Sequence, residues 1–188
     1  MTYPEHRQIT PNRWPNRNEL IGVVLHHTAG VWRSDLETLT TKRGASSVSA
    51  HVLIGKLGQR ALLAEDHDVT WHAGLSRWRG KEGCNHFTLG VELEGNTLED
   101  ALTEAQIGSL MEYLVPRMLK RRWTADDVTH HRVVSPGRKV DLLPSEFDRV
   151  QAVLRAWQGR GRPVWSAEEH GRVLADLQQH DAVAGERL

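Results

Sequence analysis

Between Thr129 and Asp141 the chain reads Thr-His-His-Arg-Val-Val-Ser-Pro-Gly-Arg-Lys-Val-Asp. Imidazoles, a lysine and a carboxylate flank a Ser-Pro-Gly turn, which brings His131 and Asp141 back toward one point. A neutral imidazole and a carboxylate are two of the donors that a catalytic zinc accepts while keeping one position open for water. The segment supplies at most three donors, and an adjacent His-His pair before a loop is also ordinary surface chemistry. Any further donors come from elsewhere in the chain.

Two other stretches can contribute. Ile21 to Leu25 is a short apolar, partly β-branched run that ends abruptly in His26-His27-Thr28-Ala29-Gly30. It fits a buried strand whose carboxyl end presents two imidazoles, where open α/β sheets place their ligands. One of the pair is expected merely to close a hydrogen bond to the next loop. Thr88 to Gly95 alternates Leu89, Val91 and Leu93 with Gly90, Glu92 and Glu94, a strand with carboxylates on one face. In a central strand Glu92 faces a cleft, where desolvation raises its pKa and suits it to general-base work. Two histidines, a carboxylate and a nearby carboxylate base make a hydrolytic constellation around zinc.

The elements that must position these groups are legible in outline. Residues 1 to 20 carry Pro4, Pro11 and Pro15 and read as a lead-in wrapped over the surface. Ser34 to Lys42 reads as a short helix with Ser34 as N-cap. Ala50 to Gly55 and Arg60 to Ala64 read as a hairpin turning at Gly58, with His51 structural. Val69 to Gly74 contains Trp71 and His72, and Leu75 to Asn85 is a glycine-punctuated loop of the kind that commonly carries function. Trp71 and Trp78 suit either core or a sugar- or peptide-binding rim. Thr103 to Arg122 opens with a Thr103/Gln106 capping box and contains Pro116, where a kink is expected. Phe147 to Trp157 is a second amphipathic helix. Gly159 to Pro163 is a linker, and a last helix from Ser166 to about His180 is expected to dock on the surface, being too short to bury a core alone.

These readings predict an α/β fold with a central mixed β-sheet flanked by α-helices, a catalytic domain over residues 1–158, and a linker with a C-terminal helical extension over 159–188. The 188 residues fit one core. Lys plus Arg and Asp plus Glu number 24 each, so no long-range field draws the chain to nucleic acid. The single cysteine, Cys84, supplies no intrachain disulfide framework and suits a reducing compartment. Met1 to Leu20 has no apolar run, so cytosolic synthesis without a signal peptide or membrane span is expected, with action on the cell wall only after separate release.

Taken together, Val23-Val-Leu-His26-His27-Thr-Ala-Gly30, Val48-Ser-Ala-His51-Val52, Trp71-His72-Ala-Gly74, Cys84-Asn85, Gly90-Val-Glu92-Leu-Glu94-Gly95 and His131 through Lys139-Val-Asp141 resemble the type 2 N-acetylmuramoyl-L-alanine amidases. This zinc family includes phage lysozyme-like enzymes and the anhydro-muropeptide recycling amidases, and shares its fold with the peptidoglycan recognition proteins. The resemblance covers about residues 21 to 157. It implies that His26, His131 and Asp141 hold Zn2+, that Glu92 is the catalytic glutamate and that Lys139 steadies the developing oxyanion. His27 and His130 fall outside that ligand set. Trp71, His72 and Asn85 are expected to bind substrate, a peptidoglycan or muropeptide, and a monomer is expected.

One departure stands out. The recycling branch reads Arg-Glu-Arg-Cys-Asn-Asp where this chain has Lys81-Glu82-Gly83-Cys84-Asn85-His86, so the arginine that anchors the stem-peptide carboxylate is absent. That favours a phage-type lytic endolysin, with the cytoplasmic recycling amidase and a non-catalytic peptidoglycan-binding module as alternatives.

Overall fold

The computed structural model describes residues 2–15 and 19–185. Met1 and residues 16–18 of the expected lead-in lie outside them. Its centre is a six-stranded sheet in the order β1-β5-β4-β9-β3-β10. The strands are β1 (Glu5–Arg7), β3 (Gly22–His27), β4 (Val52–Ile54), β5 (Arg60–Leu62), β9 (Thr88–Leu93) and β10 (Val128–His130). Only the β4–β5 hairpin pairs antiparallel; the other four pairings are parallel, which makes the sheet mixed, as expected.

Strand alternation divides the sheet into two faces. Val23 and Leu25 of β3, with Leu89, Val91 and Leu93 of β9, join the large buried cluster. Against them pack Ile107, Leu110, Met111, Leu114 and Met118 of helix α2 (Glu104–Arg121) and Val150, Leu154 and Trp157 of helix α4 (Pro144–Gly159). The alternate residues, among them His26, Gly90 and Glu92, turn to the opposite face. Helix α1 (Trp32–Thr40) covers part of that face through Leu39, which packs with Ala50, Leu53, Ala61 and Leu63. One face of the sheet thus supplies apolar burial, and the other is free to carry chemistry.

Several boundaries differ from the sequence reading, each for a physical reason. The lead-in is not wholly irregular. Its residues 5–7 form an exposed edge strand parallel to β5, and β2 (Arg13–Trp14) pairs with β6 (Val69–Thr70). Backbone pairing holds these segments, and they bury no alternating apolar side chains by which a pattern could show. Helix α1 starts at Trp32 instead of after Ser34, because its cap comes from far along the chain: Glu94 Oε1 accepts from the Trp32 N–H at 2.8 Å. The same carboxylate accepts from the Lys56 N–H through Oε2 at 2.7 Å. The Leu75 to Asn85 loop contains a small hairpin of β7 (Arg77–Trp78) and β8 (Lys81–Glu82). The short strand β10 and the one-turn helix α3 (His131–Val134) lie inside the histidine-rich stretch.

Helix α2 has the expected capping box, with Thr103 Oγ1 accepting from Gln106 N and Gln106 Oε1 accepting from Thr103 N, both at 3.0 Å. The last helix, α5 (Ala167–Gly185), docks through Val173, and the Trp165 ring just before it is buried in the same core as α2 and α4. Arg160 pairs with Glu169 and Asp176 across the connection. Thr103→Ala is expected to lower stability by about 1 kcal/mol, read as a fall in the urea midpoint with an unchanged slope.

Candidate functional site

Parallel pairing of β3 with β9 sets His26 directly opposite Glu92. On the other side of β3, pairing with β10 aligns His130 with Leu25, so the chain leaves the sheet into α3 with His131 beside His26. The Ser-Pro-Gly turn then returns Asp141 to the same place. His26 Nδ1 lies 2.8 Å from His131 Nδ1 and 3.3 Å from Asp141 Oδ2. His131 Nδ1 is 3.0 Å from that same oxygen. All three residues are buried.

The arrangement suits a cation. The other ring nitrogen of His131, Nε2, faces the Ala73 carbonyl at 3.2 Å. A carbonyl only accepts, so Nε2 carries the proton and Nδ1 turns its lone pair toward His26 and Asp141. Three electron-rich atoms in a triangle of 2.8, 3.0 and 3.3 Å sides repel unless positive charge lies among them. Donors bound tetrahedrally to zinc at about 2.0–2.2 Å stand roughly 3.3–3.6 Å apart, close to these separations. Two imidazoles and one carboxylate are also a catalytic donor set, with room for a further ligand.

The electrostatics follow from burial. Burial lowers the His26 pKa to about 4, so the ring is neutral at pH 7, although Asp141 beside it works in the opposite direction. Burial alone would raise the Asp141 carboxyl, but the influence of the two imidazoles beside it, His131 and then His26, outweighs that and holds it well below the usual carboxylate range. Glu92 is pushed up to about 8, first by desolvation and then by the charges of Asp141 and Asp35, while Lys139 pulls it back. Lys139 is half-buried at the mouth of the site and forms no hydrogen bond or salt bridge through its ammonium among the described residues. These groups line a cleft of about 260 Å³ with Trp71 and Asp35.

Asp35 is a further carboxylate of the cleft. It is buried, and burial raises its pKa. Nothing local marks it, since it lies among ordinary polar residues of α1 and reaches the cleft only through packing. Arg138 carries no local sequence signal either; its guanidinium donates to the carbonyls of Ala73 and Leu75 at 2.6 and 2.8 Å and so ties the Trp71 loop to the Ser-Pro-Gly turn.

Of the residues expected at the substrate rim, Trp71 does line the cleft, with exposed Trp14 edge-on to it at 4.9 Å. Asn85 is buried, and its Oδ1 accepts from the backbone N–H groups of His72 and Ala73 at 3.1 and 2.7 Å. His72 is largely buried but also lines the cleft, with Nδ1 3.0 Å from His26 Nε2. Trp78 packs with Val24, Ala73, Cys84, Phe87 and Val134. Three other histidines are fastened by neighbours: His27 bonds Thr97, His51 bonds Thr70 and Gly90, and His130 stacks on Phe147.

A sheet-floored cleft with this donor set and a part-buried carboxylate beside it has the chemistry that a metal-dependent hydrolase needs. The model of the N-acetylmuramoyl-L-alanine amidase family (Amidase_2) matches residues 16–144, and the chain belongs to that family. Among individual relatives, the 1,6-anhydro-N-acetylmuramyl-L-alanine amidase AmpD of Haemophilus influenzae is 42% identical over 96 residues, covering 50% of this chain and 51% of the relative. AmpD of Enterobacter cloacae is 32% identical over 135 residues, 66% of this chain and 72% of the relative. The chain spans about half the length of several curated relatives it matches, 51% and 57% of the Haemophilus influenzae and Salmonella typhimurium AmpD sequences.

Among solved structures, a selenomethionine AmpD derivative superposes with a TM-score of 0.66 at 28% identity, covering 78% of this chain and 93% of that one. The Escherichia coli amidase AmiD, in complex with the substrate anhydro-N-acetylmuramic acid-L-Ala-D-γ-Glu-L-Lys, gives 0.58 at 25% identity over 82% and 67% of the two chains. The Clostridium intestinale endolysin LysCS shares the fold, with a TM-score of 0.61 at 23% identity over 82% of this chain and 97% of that one.

The raised pKa of Glu92 has a measurable consequence. Between its ordinary 4.5 and about 8 the folded protein holds a proton there that the unfolded chain releases, so this group's contribution to stability is present below that window and is lost as pH rises through it. In the presence of chelator, the stability of the parent relative to Glu92→Gln is expected to fall from pH 5 to pH 8 in urea denaturation. A pH-independent difference would mean that the carboxyl titrates normally.

Proposed function

We propose that this protein is a zinc-dependent N-acetylmuramoyl-L-alanine amidase of the anhydro-muropeptide recycling type, which cleaves the amide between the lactyl group of N-acetylmuramic acid and L-alanine. The observation that carries the reading is the convergence of His26, His131 and Asp141 on one point beside Glu92. The lytic endolysin expected from Gly83 gives way here to the recycling reading. The AmpD relatives match at 32% and 42% identity, whereas the likeness to the endolysin structure, at 23%, is one of fold.

His26, His131 and Asp141 would hold the zinc. When bound, the ion supplies Lewis acidity, polarising an amide carbonyl and acidifying water. Glu92, facing the same cleft, takes the proton from the attacking water and delivers it to the departing amine of L-alanine. A cation nearby favours the ionised carboxylate and brings its pKa down toward neutrality. Lys139 lines the same cleft, and its ammonium stabilises the negative charge that grows on the carbonyl oxygen. Trp71 walls the cleft, and its amphipathic ring suits contact with a sugar face.

Beside the cleft is a second cavity, of about 660 Å³, lined by Arg77, Gly83 and Arg138. Gly83 offers no side chain there, and both Arg77 and Arg138 are exposed on that wall.

The recycling reading is tested by incubating the zinc-loaded protein with a soluble anhydro-muropeptide and, separately, with intact sacculi, and following new amino groups with and without chelator. Chelator-sensitive turnover of the soluble fragment well above that of sacculi is expected, and the reverse preference would restore the lytic reading. Glu92→Gln is expected to lower kcat by about 100- to 10,000-fold with zinc still bound. Lys139→Met should lower kcat by about 100- to 1,000-fold with little change in KM, as for loss of one oxyanion-stabilising group; a change confined to KM would make Lys139 a binding residue.

A further inference from the structure

A neutral imidazole carries one proton, so one ring nitrogen donates and the other offers a lone pair. For His26 the choice matters, because its Nδ1 faces His131 and Asp141 while its Nε2 faces His72 Nδ1 at 3.0 Å. The chain of contacts behind His72 sets the direction. His72 Nε2 lies 3.5 Å from Thr88 Oγ1, and the Thr88 hydroxyl donates to the Cys84 carbonyl at 2.7 Å. A carbonyl only accepts, so each proton in the series points toward it: Thr88 to Cys84, His72 Nε2 to Thr88, and His26 Nε2 to His72 Nδ1.

The His72 ring is held in place from two sides. Asn85 Oδ1 fixes the main chain by accepting from the N–H groups of His72 and Ala73. Beneath the ring is Gly90 of β9, where an added Cβ would lie 2.4 Å from His72 Cγ. A strand residue with any side chain at that point would push the imidazole away.

We propose that His72 is a positioning residue: it accepts the proton of His26 Nε2 through its own bare Nδ1, which leaves His26 Nδ1 bare and aimed at the ligand point, and Gly90 is the residue that makes room for it. The inference rests on the zinc reading above and goes beyond it. It also gives His72, expected at the substrate rim, a place behind a ligand. Outer partners of metal-binding histidines fix the tautomer and ring orientation, and their loss typically weakens metal binding by about 10- to 100-fold.

The test measures zinc affinity by chelator competition in the parent, His72→Phe, His72→Gln and Gly90→Ala, with circular dichroism of each zinc-free protein as the folding control. His72→Phe keeps the ring volume without an acceptor and is expected to weaken zinc binding by about 10- to 100-fold. His72→Gln restores an acceptor oxygen and should stay within a few-fold of the parent, and Gly90→Ala should resemble His72→Phe. Long-range 1H–15N spectra of the zinc-loaded parent should show His72 protonated at Nε2 and bare at Nδ1, a readout that stands even if His72→Phe fails to fold. A folded His72→Phe that binds zinc as tightly as the parent, a folded His72→Gln as weak as His72→Phe, or a proton on His72 Nδ1 would overturn the proposal. A parent that takes up no zinc would refute the function proposed above as well, whereas tight binding in the parent and an indifferent His72→Phe refute the relay alone.

Discussion

The structure turns on a buried meeting of like polarity: an aspartate oxygen and two imidazole nitrogens within 3.3 Å of one another. Burying an ionised carboxylate without a counter-charge costs several kcal/mol, and bare lone pairs beside it add repulsion. No lysine or arginine is close enough to pair with Asp141 among the described residues. The arrangement therefore makes sense as a socket whose electrostatics are completed by a cation, and much of the surrounding architecture can be understood as holding that socket together.

The sheet does most of the holding. Parallel pairing places the carboxyl ends of β3, β4 and β9 on one edge, and strand alternation sends His26 and Glu92 to the face that the large helices do not cover. Stability and chemistry are thereby separated. Leu89, Val91 and Leu93 bury against α2 and α4, while Gly90 and Glu92, interleaved with them, serve the site. Further imidazoles fasten the segments that border the cleft. His51 accepts from the Gly90 N–H at 2.9 Å and faces the Asp68 carbonyl at 3.1 Å. His27 faces the Thr97 hydroxyl at 2.7 Å, and that same oxygen accepts from the Leu143 N–H at 2.9 Å, which links the end of β3 to the segment just after Asp141.

What the amino-acid order revealed and what it hid follow from the range of the interactions. Buried strands and the α2 helix were legible because their signals are local: a run of β-branched residues, alternation around Glu92, and a capping box four residues long. The edge strand β1, the start of α1 and the short β10 were not, since each depends on a distant partner, as Glu94 shows by capping Trp32 across 62 positions. The ligand candidates stood out by residue type and by their place at strand ends and turns. The inward turn of His72, the buried carboxamide of Asn85 and the presence of Asp35 in the cleft depend on tertiary packing, which no short window of sequence encodes.

Gly108, midway along the first half of α2, has a role outside the site. A Cβ there would lie 2.6 Å from the Tyr3 hydroxyl and 2.8 Å from His170 Cε1, so segments from opposite ends of the polypeptide meet over this one bare position on the helical layer. That layer is on the far side of the sheet from the cleft. A fluorescent or affinity module tethered ahead of Tyr3 would consequently emerge behind the molecule, leaving the approach to the cleft unobstructed.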